Sequence, residues 1–263
     1  VEINVPNYIE RIGYQGELRP TLFNLARLQK THLLNVPFEN LDIHYDVTID
    51  LDLTKIYDKL VVRKRGGFCY ELNGLFAQLL RQLGYKTRIV SARVYKPEQQ
   101  HYGQEYDHLA IIVTLDQTDY LVDVGFGEFI FNPLELNMGK VQSDPRGDFI
   151  LEKQADGYIK VSRLEGDKES PEYIFKEKER DFSEFSGMCH YHQTSPDSHF
   201  PKKKLISRPT ENGRVTLTNT LLKITEGTQT IRETPFEASQ FGHSLKEWFG
   251  LDETLLNPSK SVD

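Results

Sequence analysis

RKRGGFCYELN, residues 63–73, sets one of only two cysteines in a 263-residue chain behind two glycines and a basic run. It also opens the strongest helical pattern in the sequence. From Cys69 onward, Leu72, Leu75, Phe76, Leu79, Leu80 and Leu83 recur at the three- and four-residue spacing of one buried stripe. Gly84 follows as a C-terminal cap. Gly66 and Gly67 are expected to turn the chain into this helix through backbone conformations closed to other residues. Cys69 then sits at a helix N-terminus, where unsatisfied N–H groups and the helix dipole favour negative charge. A thiol so placed is expected to have a lowered pKa, with Arg63, Lys64 and Arg65 adding positive potential. The same N–H groups can receive an oxyanion during acyl transfer. Taken alone, Cys69 also reads as an ordinary buried cysteine.

Working outward, the first third of the chain is helical. A short helix runs from Pro6 to Ile12, a second follows Pro20, and a third covers 54–62. After Gly84 the pattern changes to strands: Ile89–Tyr95, His108–Leu115, Tyr120–Val124, Phe149–Glu152, Tyr158–Arg163 and Tyr173–Phe175. Residues 181–200 read as irregular. Strands return at Leu205–Ser207, Arg214–Leu217, Leu221–Ile224 and Thr228–Arg232, before a last helix over 244–251.

A nucleophilic cysteine needs a base, and the base needs a group that orients it. His108 begins one strand and Asp123 ends the next. With the intervening turn centred on Asp116-Gln117, Asp123 faces Ala110 across the hairpin. His108 and Asp123 are then diagonal neighbours on one face, about 7–8 Å apart at the backbone and within side-chain reach. A turn shifted by one residue separates them. Asp123 lies among Leu121, Val122 and Val124, so its carboxylate is expected to be buried and to need a partner.

Composition narrows the function. A net charge of −7 argues against a nucleic-acid partner. No apolar run approaches the ~18 residues of a membrane span, and the opening residues lack the pattern of a signal peptide. Two distant cysteines do not form a disulfide framework, so a cytoplasmic, reducing location is expected. Cys189 and His192 have C-x-x-H spacing but no distant second pair, and no metal is expected.

RGGFCYELN (65–73), VPFENLDIH (36–44), DHLAIIV (107–113), VDVGFG (122–127) and SPDSHF (195–200) together resemble the arylamine N-acetyltransferase family, with similarity from about residue 8 to 217. The resemblance implies an α+β fold with a papain-like catalytic core. Its parts are an N-terminal helical bundle (1–85), a central antiparallel β-barrel (86–190) and a C-terminal α/β lid (191–263). It implies Cys69 as nucleophile, His108 as base and Asp123 as orienter. Acetyl-CoA would acylate Cys69, and an arylamine or hydrazine would then discharge the thioester. Phe38 and Phe126 would line the acceptor pocket; Gly125, Phe126 and Gly127 would border coenzyme A. Glu39 is expected to pair with an arginine of the RKR run rather than act as an acid. Three alternatives stay open at this stage. One is an amide synthase using a larger acyl donor, another is a thiol hydrolase using the same three residues, and the third is a binding module without catalysis.

Overall fold

The computed structural model describes residues 1–256 apart from Asp167 and Thr228. Thr228, expected to open the last strand, and the end of the lid expected to reach residue 263 lie outside the described residues. Five helices come first: α1 (Val5–Arg11), α2 (Leu22–Asn35), α3 (Leu41–His44), α4 (Leu53–Tyr57) and α5 (Cys69–Gln82), with the two-residue strand β1 (Phe38–Glu39) between α2 and α3. In α5 the stripe Leu72, Leu75, Phe76, Leu79 and Leu80 is fully buried, which is why this run is a helix. Gly84 takes φ +87° just past its end, a left-handed position that suits glycine. The helix expected over 54–62 is split. After α4 the chain widens into a π turn over Asp58–Val62, which turns Lys59 into the interior.

The second part is a sheet of antiparallel strands: β2 (Lys86–Lys96), β3 (His101–Tyr102), β4 (His108–Leu115), β5 (Thr118–Val122), β6 (Leu134–Glu135), β7 (Gln142–Asp144), β8 (Gly147–Lys153), β9 (Ile159–Glu165) and β10 (Lys168–Glu179). They lie in the order β6-β5-β4-β2-β10-β9-β8-β7, with β3 paired to β2, and curl into a nearly closed barrel. The β4–β5 hairpin has the register that brings His108 and Asp123 together. Ile111 faces Val122 and Leu115 faces Thr118, around a turn in which Asp116 and Gln117 have φ +47° and +66°. Two positive φ angles give the turn the twist of the flanking strands.

Residues 181–200, expected to be irregular, contain helix α6 (Ser186–Thr194) between two short 3-10 turns. Its inward positions are Cys189 and His192, so the buried face carries too few apolar residues for the helical period to show. Cys189 packs in the same core as α5, and the boundary expected at residue 190 falls inside α6. A second sheet and a last helix follow, with β11 (Leu205–Pro209), β12 (Gly213–Thr218), β13 (Leu221–Glu226), β14 (Gln229–Pro235) and helix α7 (Phe241–Phe249). Its sheet takes in β1 from the helical part, Phe38 pairing with Ser207 and Glu39 with Ile206. That pairing fixes Phe38 beside the start of α5.

Candidate active site

The two glycines before Cys69 do a different job from the one expected of them. Neither has a positive φ. They are glycines because other atoms come too close. A Cβ on Gly66 would lie 2.0 Å from the Pro37 carbonyl oxygen, and one on Gly67 would lie 2.8 Å from Glu71 Cβ. Gly67 instead accepts a hydrogen bond from Glu39 N at 2.9 Å, so the approach to α5 is laid against the 37–39 segment.

The two arginines of the basic run are paired with carboxylates rather than aimed at the thiol. Arg63 pairs with Asp58 at the surface, 2.8 Å away. Arg65 is buried and donates to both carboxylate oxygens of Glu39, at 2.8 and 3.1 Å, and contacts Asp42 as well. Lys59 joins the same cluster, 2.8 Å from Asp42 and 2.8 Å from Glu71. Glu71 in turn accepts from Phe68 N at 3.1 Å, which ties the cluster to the first turn of α5. Glu39 is therefore the structural partner of Arg65 that the sequence suggested.

Three buried acids face two buried cations here, and one negative charge is left unmatched. Burial, with the Asp42 charge adding to it, pushes the Glu71 carboxyl up to about 7 against the pull of Lys59. The folded protein then holds a proton that an unfolded chain releases near its ordinary glutamate value. Between about pH 4.5 and 7 the native state binds more protons, so this group's contribution to stability falls as pH rises. Glu71→Gln is expected to flatten that fall in a series of melting curves across the window. An unchanged slope would count against the assignment.

Cys69 is buried at the first position of α5. Its thiol pKa is not lowered as expected. Burial pushes it well up, the Leu109 N–H acts in the opposite direction, and the charges of Asp123 and Asp107 raise it further. A helix end is worth only about 0.3–1 kcal/mol, too little to offset full desolvation. A thiolate here needs a cation made at the site.

His108 and Asp123 meet close to this end of α5, which Asn73 ties to Asp123. His108 Nε2 lies 2.7 Å from Asp123 Oδ2, both side chains being buried. The same oxygen accepts from Tyr173 Oη at 3.1 Å. Asp123 Oδ1 accepts from Asn73 Nδ2, Gly125 N and Phe126 N at 2.8, 2.9 and 3.0 Å. Asn73 lies one turn after Cys69 on α5 and also accepts from Val124 N at 2.8 Å, so it locks the helix to the hairpin. Asn73 was visible in the motif as the i+4 neighbour of Cys69. Tyr173 arrives through the pairing of β10 with β2, strands far apart in the chain, which no local pattern reports.

The remaining expected site residues divide. The Phe126 ring lies 5.0 Å from the His108 ring and 5.1 Å from Tyr173, and stays partly exposed. Phe38 is also partly exposed, 6.2 Å from Phe200. Gly125 is buried, and a Cβ on it would lie 2.9 Å from Cys69 Cα. Close packing against Cys69 accounts for this glycine. Gly127 is exposed and borders open space. Cys189 and His192 point to different partners. Cys189 Sγ lies 3.3 Å from Gln193 Nε2, while His192 pairs with Asp107. Among the described residues no three His, Cys, Asp or Glu side chains gather as a metal-holding group.

Comparison with known proteins places this arrangement. A family model described as N-acetyltransferase matches residues 21–255. The chain is 38% identical over 230 residues to the chicken (Gallus gallus) arylamine N-acetyltransferase, pineal gland isozyme NAT-3, covering 80% of this chain and 79% of that one. It is 33% identical to human (Homo sapiens) arylamine N-acetyltransferase 1, with the same coverage of both chains. Among solved structures, the arylamine N-acetyltransferase of M. tuberculosis superposes with a TM-score of 0.88 at 31% identity, covering 97% of this chain and 96% of that one. The Mycobacterium marinum enzyme in complex with CoA gives 0.87 at 30% identity, covering 97% and 95%.

Proposed function

The chain belongs to the arylamine N-acetyltransferase family, an acyltransferase with that family's papain-like fold, and from this premise we propose that it carries an acetyl group from acetyl-CoA to the nitrogen of an arylamine or arylhydrazine through a thioester on Cys69. The observation that carries the reading is the 2.7 Å contact between His108 Nε2 and Asp123, held beside a buried thiol at the start of α5.

In this reading Asp123 fixes the His108 ring with its proton on Nε2, which leaves Nδ1 as the nitrogen that takes the thiol proton. The thiolate and imidazolium arise together, which meets the cost that burial imposes on Cys69. The thiolate adds to the acetyl carbonyl, and amide N–H groups at the start of α5 face the developing oxyanion. The CoA sulfur leaves with the proton from His108. The acceptor nitrogen then adds to the acetyl thioester, gives its proton back to Nδ1, and Cys69 is released. Phe38 and Phe126 form the apolar wall that favours an aromatic amine over water, and Gly127 leaves room for the pantetheine arm. The motion of charge is carried by Cys69 and His108 alone, so no metal enters the scheme. No helix among the described residues is long and apolar enough to cross a membrane. Both cysteines are free, which fits the reducing cytoplasm.

Initial rates measured against acetyl-CoA at several fixed concentrations of an arylhydrazine test the order of events. Parallel double-reciprocal lines are expected; intersecting lines would indicate a ternary complex and contradict the thioester route.

A further inference from the structure

A second histidine–carboxylate pair lies within electrostatic reach of Cys69, and the reaction above makes no use of it. His192 on α6 sets Nε2 3.2 Å from Oδ1 of Asp107, the residue just before His108, and the side chains are only 6% and 11% exposed. The His192 ring stacks on Tyr70, the neighbour of Cys69, at 6.2 Å, and meets the edge of Phe200 at 5.1 Å. Nδ1 lies 3.3 Å from Ser198 Oγ, and the serine hydroxyl itself donates to the His192 carbonyl at 3.2 Å. Among the described residues Nε2 has no hydrogen-bond partner of its own in the interior, and the polar group it lies closest to is the buried Asp107 carboxylate.

The surrounding charges give a reason for a basic side chain to be kept beside Asp107. Cys69 feels two carboxylates, Asp123 and Asp107, and each makes a thiolate harder to form. Asp123 is matched by His108. Among the described residues His192 is the one basic side chain within 4.0 Å of Asp107. We propose that His192 is a charge-compensating positioning residue for Cys69: it neutralises Asp107 so that the neighbouring thiolate can form, and it ties α6 and Phe200 to the strand that carries the base. This rests on the reading of Cys69 as the nucleophile. The other groups facing the pair are Lys96 from β2, His108 from β4, Tyr70 from α5, and His199 and Lys202 from the segment after α6. Lys96 and Lys202 are at the rim, where solvent screens them. His108 is committed to Asp123, and burial lowers the pKa of His199. Burial alone would push the Asp107 carboxyl up, but its contact with His192 and the charges of His192, Lys96 and His108 hold it below the usual carboxylate range.

The test is the pH dependence of Cys69 alkylation by iodoacetamide, with the modified cysteine mapped by peptide mass spectrometry. His192→Asn is expected to shift the profile to higher pH and slow alkylation near pH 7 by about tenfold, the equivalent of one pKa unit. Asp107→Asn is expected to shift it to lower pH, and the double variant to return close to the wild-type profile. An unchanged profile in His192→Asn, or a double variant as impaired as the single one, would overturn the proposal. Should His192→Asn fail to fold, Asp107→Asn decides alone: a profile that stays put or moves to higher pH overturns it. Alkylation needs no acetyl-CoA. A wild-type protein whose Cys69 alkylates but never acetylates would defeat the acetyl-transfer reading and leave this one standing.

Discussion

Asp123→Asn is expected to slow formation of acetyl-Cys69 by about 10⁴-fold, the scale seen when a triad carboxylate becomes an amide and leaves its histidine in the wrong tautomer. The hydrogen bonds around Asp123 say how this happens. Three donors converge on Oδ1, from Asn73, Gly125 and Phe126, and two on Oδ2, from His108 and Tyr173. An asparagine keeps its oxygen where three donors need it and turns its NH₂ toward His108 and Tyr173. His108 Nε2 must then accept rather than donate, so the ring proton moves to Nδ1 and the base can no longer take the thiol proton. Size and shape are nearly unchanged, so the melting temperature should fall far less than the rate. Single-turnover acetylation, followed by intact mass, measures the effect. A loss smaller than tenfold would mean that Asp123 does not set the His108 tautomer.

The second large effect is on stability. Arg65→Met is expected to cost about 3–5 kcal/mol, the range for removing one partner of a buried ion pair. For a chain of this size, that corresponds to a drop of roughly 5–10 °C in melting temperature. Glu39 is fully buried, and without Arg65 it keeps one close polar contact, the Leu41 N–H at 2.8 Å. Asp42 would retain Lys59, which is already shared with Glu71. Three carboxylates would then depend on a single ammonium group. Chemical denaturation with and without the substitution measures the cost, and a loss under 1 kcal/mol would show that the cluster is not balanced by Arg65. The cluster also touches the first turn of α5 through Glu71 and Phe68, so a surviving fold should hold Cys69 less firmly.

How far the sequence could be read follows from the range over which each feature is determined. Helix α5 and the β4–β5 hairpin are set by period and turn over a few residues, and both were legible, including the register that joins His108 to Asp123. The glycine pair was legible as necessary but not for its reason. The contact that requires Gly66 comes from Pro37, on a segment docked by strand β11 of the second sheet. Helix α6 was missed because its buried face is built from Cys189 and His192, which a hydrophobic pattern does not count. The RKR run read as potential aimed at the thiol because the partners of Arg65, Glu39 and Asp42, lie more than twenty residues away in the chain and meet it only in the folded core. The lowered thiol pKa failed for the same cause. A local helix end is visible in sequence, whereas the burial that outweighs it is produced by the whole fold.

The account turns on Cys69 carrying the acetyl group. Intact mass spectrometry after brief mixing with acetyl-CoA, with and without an arylhydrazine, tests this most directly. The account predicts a gain of one acetyl group, mapped to Cys69 and lost when the hydrazine is added. A folded, reduced protein that gains no acetyl group would contradict it and point instead to a larger acyl donor or to hydrolysis.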